Sequence, residues 1–222
     1  MSNNDDRYIF EPTAFDYVNP KAEVAIVGIT PGNSQLDGSR EGLSPREIKR
    51  KYAFAGKMRP NLIKMLDFIG VNRLLGIESC STLWEDDFDK VDMTSLLVEA
   101  TYELKKDGTK EMFRHAEKIA KSEKLTRMLE EGFIKNCSRY ENPVLYVACG
   151  LGVYDVLKSL LEEQKIMGQV VGIAHPSGAN MKCIQCYLGN KEPSTLSLQK
   201  YVEKAQEAKE IVNCAIVNCT IS

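Results

Sequence analysis

The feature that most limits what this chain can fold into is a pair of apolar runs, each cut short by a polar loop. One is Glu23-Val-Ala-Ile-Val-Gly-Ile-Thr-Pro-Gly-Asn-Ser-Gln35; the other, far downstream, is Val170-Val-Gly-Ile-Ala-His-Pro-Ser177. Val24 to Val27 are β-branched or small and too few for a helix, which predicts a strand buried on both faces. Gly28 ends it, and Pro31-Gly32 imposes a turn where main chain can come close to a ligand. The second run repeats the design and ends on His175, one of only two histidines in the protein. In open α/β sheets ligands bind beyond the carboxyl ends of the strands, so the two loops are expected to face one site.

Between the runs, strand and helix patterns alternate. Ser44-Pro-Arg-Glu47 reads as an N-cap with proline at the first helical position, opening a helix over about 46–55. Asn61 reads as the cap of a second helix whose Leu62, Met65, Leu66 and Ile69 share one face. Residues 1–22, 33–42 and 79–90 read as irregular. Val91 to Val98 predicts a strand, 109–133 a charged helix, and Pro143 to Cys149 a third sheet strand feeding a helix to about 164. A fourth strand spans 169–174, and 194–211 predicts a last amphipathic helix. The expected fold is a single α/β domain over 1–222, three layers α/β/α around a central four-stranded parallel sheet.

Composition narrows the function. A formal charge of −2 and a pI near 5.9 carry no global basic field, which weighs against tight non-specific duplex binding. Met1-Ser-Asn-Asn-Asp-Asp6 is the opposite of a signal peptide's basic start, and no apolar run reaches membrane-spanning length. With seven cysteines and no secretory signal, the thiols are expected to be reduced in a cytoplasmic setting. Cys183 and Cys186 have metal-like spacing but no second pair, so no metal or cofactor is expected. Gly150-Leu-Gly152 mimics part of a dinucleotide fingerprint, but no acid follows for a ribose. No Gly-x-Ser-x-Gly elbow supplies a serine nucleophile. His115, among charged residues, reads as a surface side chain. Lys49, Arg50, Lys51, Lys57 and Arg59 form a basic run that either touches phosphates or is the solvated side of two helices.

Gly28-Ile-Thr-Pro-Gly32 after a first strand and His175-Pro176-Ser177 after a last one together resemble the uracil-DNA glycosylase superfamily. Motif order and separation suit such a domain. Thr94-Ser-Leu-Leu97 and Val147-Ala-Cys-Gly150 stand where relatives carry further strand segments. The resemblance implies excision of a deaminated or damaged base from DNA, with the base taken out of the stack into a pocket. It gives His175 the role of donor to the departing base, and Gly28, Ile29, Pro31 and Gly32 the base-facing loop. Tyr52 and Phe54 are equal candidates for the aromatic that stacks on the base, and Ser95 for its polar edge. Ser177, Gly178 and Asn180, with Lys57 and Arg59, are candidates for backbone phosphates.

The sequence also departs from that pattern. Thr30 stands where many relatives have Asp or Asn; a hydroxyl holds a water but cannot take its proton as a carboxylate does. Asp37 and Glu41, further along the loop, are candidate substitutes. Two alternatives remain open: a nucleic-acid- or base-binding protein without the chemistry, and an enzyme of free nucleotides or nucleosides.

Overall fold

The computed structural model describes residues 7–13 and 17–221, with side chains as far as Asn218. The polar start Met1 to Asp6 and the side chain of Cys219 in the apolar tail lie outside the described residues. In chain order the elements are β1 (Tyr8–Glu11), β2 (Val24–Gly28), α1 (Asn33–Arg40), α2 (Pro45–Tyr52), α3 (Met58–Ile69), α4 (Val71–Leu74), β3 (Val91–Ser95), β4 (Ala100–Leu104) and β5 (Lys110–Met112). Then come α5 (Glu123–Met128), α6 (Lys135–Cys137), β6 (Val144–Cys149), α7 (Leu151–Glu162), β7 (Gly168–Ile173), α8 (Met181–Tyr187) and α9 (Leu196–Ile221).

The predicted parallel sheet is present, in the order β3-β2-β6-β7. Alternation along its strands sorts the side chains into two cores. Val24, Ile26, Met93, Val147 and Val171 meet α3, α8 and α9 on one face. Ala25, Val27, Tyr146, Ala148 and Val170 meet α5 and α7 on the other. Both faces are therefore dry, and each fully buried Val or Ile contributes about 1.5–3 kcal/mol of transfer free energy. The direction in which strands are added across the sheet reverses between β2 and β6: the chain leaves β2 for β3 on one side and β6 for β7 on the other. Such a switch point, at the carboxyl edge of the sheet, is the expected place for a ligand crevice. There the register aligns Thr94, Val27, Ala148 and Gly172 across the four strands, and one residue further on Ser95 stands opposite Gly28 and Cys149 opposite Ile173.

Gly168 is the tightest backbone approach in the sheet. Its φ is +136°, and a Cβ would lie 2.1 Å from the Val144 carbonyl oxygen, which is backbone and cannot move aside. Gly168→Ala is therefore expected to lower the stability by about 2–3 kcal/mol, read as a lower urea midpoint at unchanged slope.

Several readings of the sequence need correction. Residues 33–40, expected as loop, are helix α1. The Gln35 side chain reaches back to accept from the Gly32 N–H at 2.6 Å, Leu36 is buried, and Gly38 lies against the Tyr52 ring, so a polar segment becomes helical through its caps and packing. The helix expected at 46–55 stops at Tyr52, and the one expected from Asn61 already starts at Met58. The segment 109–133 is not one helix: it holds β5, a 3-10 helix at Ala116–Lys121, α5 and the start of a π-helical turn at Leu129–Ile134. Finally, the lead-in contributes β1, which pairs with β4 in a second, antiparallel sheet β1-β4-β5. The Asp107-Gly108 hairpin between β4 and β5, with Gly108 at φ +83°, was a legible turn signal. The segment 79–90 supplies two 3-10 turns that bury Leu83, Trp84 and Phe88, and the tail to 221 extends α9. Among the described residues no helix is long and apolar enough to cross a membrane.

Candidate active site at the strand ends

The crevice is built by strand termini and by one strained residue. Gly28 closes β2. A Cβ there would stand 3.6 Å from Ser95 Oγ and 4.0 Å from Phe54 Cζ, ordinary contact distances, so packing does not demand glycine. Its absence of side chain leaves room between a hydroxyl and an aromatic edge. Ser95 is 3% exposed as a residue, and among the described residues its hydroxyl has no hydrogen-bond partner but keeps some contact with solvent. A hydroxyl left open in this way is available to a ligand.

Phe54 has φ +52°, a left-handed conformation uncommon for an aromatic residue. Its surroundings hold it there. The preceding Ala53 carbonyl accepts from Trp84 Nε1 at 2.9 Å and from Arg59 Nη2 at 3.2 Å. Strain over-determined in this way clusters at functional sites. Tyr52, by contrast, belongs to the α1–α2 contact: its ring packs on Gly38 and its hydroxyl donates to Glu41 Oε2 at 2.8 Å. The structure thus separates two aromatics that the sequence left equal.

On the other side of the switch point β6 ends at Gly150, whose φ of +107° and ψ of 149° suit only glycine. A Cβ there would lie 3.5 Å from His175 Cβ, so the imidazole is seated against this turn. His175 follows β7. Its Nδ1 accepts from the Ser177 N–H at 3.3 Å, which places the ring proton on Nε2 and makes that nitrogen a donor. The loop is pinned by Asn61 Nδ2 donating to the Pro176 carbonyl at 2.9 Å and by Asn180 Nδ2 donating to Ser177 Oγ at 2.9 Å. Because α3 begins before Asn61, that side chain is free for this tether and does not cap the helix.

Burial first, and the charge of Arg114 second, push the basicity of His175 below that of a free imidazole. The group is neutral at pH 7. A histidine whose folded pKa lies under its unfolded value near 6.5 supports stability fully above that value. The support is lost as the pH falls from about 6.5 through the folded pKa. Protonation also removes the acceptor from the Ser177 N–H. We therefore expect His175→Gln to flatten part of the stability loss between pH 7.5 and 5, measured by thermal melts of both proteins.

The remaining candidates have structural duties. Thr30 Oγ1 donates to the Glu99 carbonyl and accepts from the Thr101 N–H, both at 2.9 Å, tying the β2 loop to β4. Asp37 is on α1 and pairs with Arg40; Glu41 accepts from Tyr52 and faces Lys51 at 3.5 Å. Neither stands in a loop as expected: Asp37 is inside α1 and Glu41 caps its end. Pro31 is buried, Ile29 packs on the second core, and Gly32 starts α1. In the basic run, Lys49 is wholly buried against Asp92, Arg50 Nε donates to the Trp84 carbonyl, and Arg59 donates to the Lys51 and Ala53 carbonyls while stacking on Trp84. Lys51 and Lys57 stay exposed, as do Gly178 and His115. Arg114 was missed by sequence reasoning, since it lies in a segment read as a solvated helix. Hollows of about 550 and 650 Å³ border α5 and share no residue with the crevice.

Fold and site together define the class: an α/β/α protein whose strand ends at the topological switch point carry a strained aromatic, a serine hydroxyl and a neutral histidine donor. No family model matches the chain. It is 27% identical over 191 residues to the uncharacterized protein YoxB of Bacillus subtilis (strain 168), covering 80% of this chain and 73% of that protein. It is also similar to the crystal structure of wild-type Pedobacter heparinus SMUG2, with 14% identity and a TM-score of 0.46, covering 87% of this chain and 76% of the other.

Proposed function

We propose that the protein is a DNA glycosylase that hydrolyses the N-glycosidic bond of uracil or another deaminated base, acting without metal in the cytoplasm. The observation that carries this reading is the His175 tautomer: with Nδ1 engaged by Ser177, Nε2–H is a fixed donor at the crevice. When the bond to the sugar breaks, the departing pyrimidine gains negative charge on its oxygen, and a preorganised donor lowers that barrier. Phe54 offers an aromatic surface for the extruded base, Ser95 a hydrogen bond to its edge, and Gly28 the space between them. Water then attacks an oxocarbenium-like sugar, which calls for less base assistance than attack on a neutral centre. The resemblance of the two loops to the uracil-DNA glycosylase superfamily supports the same chemistry.

A second reading has its own observation. Thr30, Asp37 and Glu41 are all engaged in protein contacts, so among the candidates named from sequence none offers a free base to activate water. That favours a protein that holds an extruded base in DNA without cleaving it.

One experiment separates the two. Single- and double-stranded oligonucleotides containing uracil, hypoxanthine, xanthine or a thymine mismatch are incubated with the protein, and alkali-labile abasic sites are counted. Abasic product supports the glycosylase; retention of modified DNA with no abasic product supports the binding protein. Turnover of free nucleosides without DNA binding overturns both.

A further inference from the structure

Phe54 and His175 belong to the ends of different strands: Phe54 lies beside Gly28 at the end of β2, and His175 follows β7. β6 separates those strands, so the two ends are roughly 10 Å apart across the sheet. The first turn of α3 reaches both. Arg59 Nη2 donates to the Lys51 carbonyl at 2.7 Å and to the Ala53 carbonyl at 3.2 Å, with its guanidinium 5.0 Å from the Trp84 ring centroid. Trp84 Nε1 donates to the same Ala53 carbonyl at 2.9 Å. Two residues further along, Asn61 Nδ2 donates to the Pro176 carbonyl at 2.9 Å.

Each grip falls on a single peptide group, and a planar peptide held at its oxygen is held at its nitrogen as well. The Ala53 carbonyl shares its plane with the Phe54 nitrogen, from which Phe54 turns to a φ of +52°. The Pro176 carbonyl shares its plane with the Ser177 N–H, which donates to His175 Nδ1 and so leaves the ring proton on Nε2. The helix that joins the two grips is fixed in place, since Leu62, Met65, Leu66 and Ile69 are wholly buried in the core under it. The start of α3 itself gains nothing from these side chains. Lys57 at the cap position makes no side-chain cap bond, Asn61 sends its amide out to the histidine loop, and a cation in the first turn opposes the helix dipole. Arg59 Nε is also buried without an acceptor among the described residues, a cost that a smaller side chain would avoid.

We propose that Arg59 and Asn61 are positioning residues, and that the first turn of α3 is a bracket holding Phe54 and the His175 donor at one separation. That this separation admits an extruded base rests on the function proposed above; the bracket itself does not. A shift at one gripped peptide is passed through the helix turn to the other. Misplacement of either group by about 1 Å costs on the order of 10²-fold in a reaction that needs both.

The test reads both ends of the bracket by NMR of the full chain. Trp84 is the sole tryptophan, so one indole N–H signal reports the Ala53 end; of the two histidines, exposed His115 is the reference for His175. Asn61→Asp keeps the size of the side chain and adds a charge that a helix start favours, but it cannot donate to Pro176. Asn61→Ala removes the tether without a new charge and is expected to behave alike. Arg59→Lys keeps the charge and loses the fork that spans two carbonyls. Both Asn61 variants are expected to give His175 mixed tautomers, read in its ring nitrogen shifts, and to displace the indole signal at the far end. Arg59→Lys is expected to displace the indole signal and, at its far end, the His175 signals, with His115 unchanged throughout. Variants that disturb only their own end overturn the bracket. In single-turnover assays on a uracil oligonucleotide, Asn61→Asp and Arg59→Lys each slow base release about tenfold or more. Arg59→Lys adds little to Phe54→Leu, because it acts through that ring; an undiminished effect there overturns the link. Far-end shifts in a protein that releases no base leave the bracket standing and remove the function.

Discussion

His175→Ala is expected to slow release of uracil from an oligonucleotide by about 10²–10³-fold in the chemical step, the usual cost of deleting one preorganised donor to a developing anion. The side chain is partly buried, so its removal strips a donor and also opens space against Gly150. His175→Gln separates these effects, because its amide restores an N–H near the same place while lacking the ring. Gln is expected to recover part of the rate. Single-turnover kinetics on a uracil oligonucleotide read the chemical step directly, and substrate binding is followed separately by anisotropy. The proposal requires that binding change far less than the rate. Equal rates for wild type and His175→Ala would sink the donor assignment, whatever the binding data show.

Lys49→Met should reduce stability by about 3–5 kcal/mol, which for a chain of this size is a fall of roughly 6–20 °C in Tm. Lys49 and Asp92 are 0% and 1% exposed, with Nζ 2.8 Å from Asp92 Oδ1. Nζ also donates to the Tyr17 carbonyl, and Tyr140 donates its hydroxyl to Asp92 Oδ2 at 2.8 Å. Burial, and then the neighbouring Asp92, push the Tyr140 hydroxyl well above its ordinary pKa, so it remains a donor. Removing the ammonium leaves a carboxylate inside the protein with one neutral donor, and that stranded charge causes most of the loss. Asp92→Leu combined with Lys49→Met is expected to be milder than Lys49→Met alone. If the single variant melts within a degree or two of wild type, the pair contributes nothing of this kind. The effect reaches the crevice as well. Lys49 anchors α2, and the end of α2 delivers Ala53 and the strained Phe54 beside Gly28.

The parallel sheet was the readable part of the fold. Each of its strands is buried on both faces, and that condition writes itself into short runs such as Val24 to Val27 and Val144 to Cys149, bounded by glycine or proline. Its carboxyl-end loops could be read for the same reason, since Gly28, Gly150 and His175-Pro176 are where those runs stop. The second sheet was harder. β1, β4 and β5 are short, partly exposed and charged, so periodicity is weak, and only the Asp107-Gly108 turn marked the hairpin. Helix α1 was hidden because its residues are polar and its packing comes from Tyr52 covering Gly38, a contact that no local window contains.

Sequence alone determined where the four parallel strands lie along the chain, the places where strands end in glycine, and the histidine loop that follows the last of them, all written in local hydrophobic pattern and turn chemistry. Tertiary structure decided the rest of the site. It set Phe54 beside Gly28 and Tyr52 against Gly38, engaged Thr30, Asp37 and Glu41 in protein contacts, and buried Lys49 in an ion pair. Such outcomes depend on which groups meet across the fold, and a charged or hydroxyl side chain looks the same in sequence whether it meets a partner, a ligand or water.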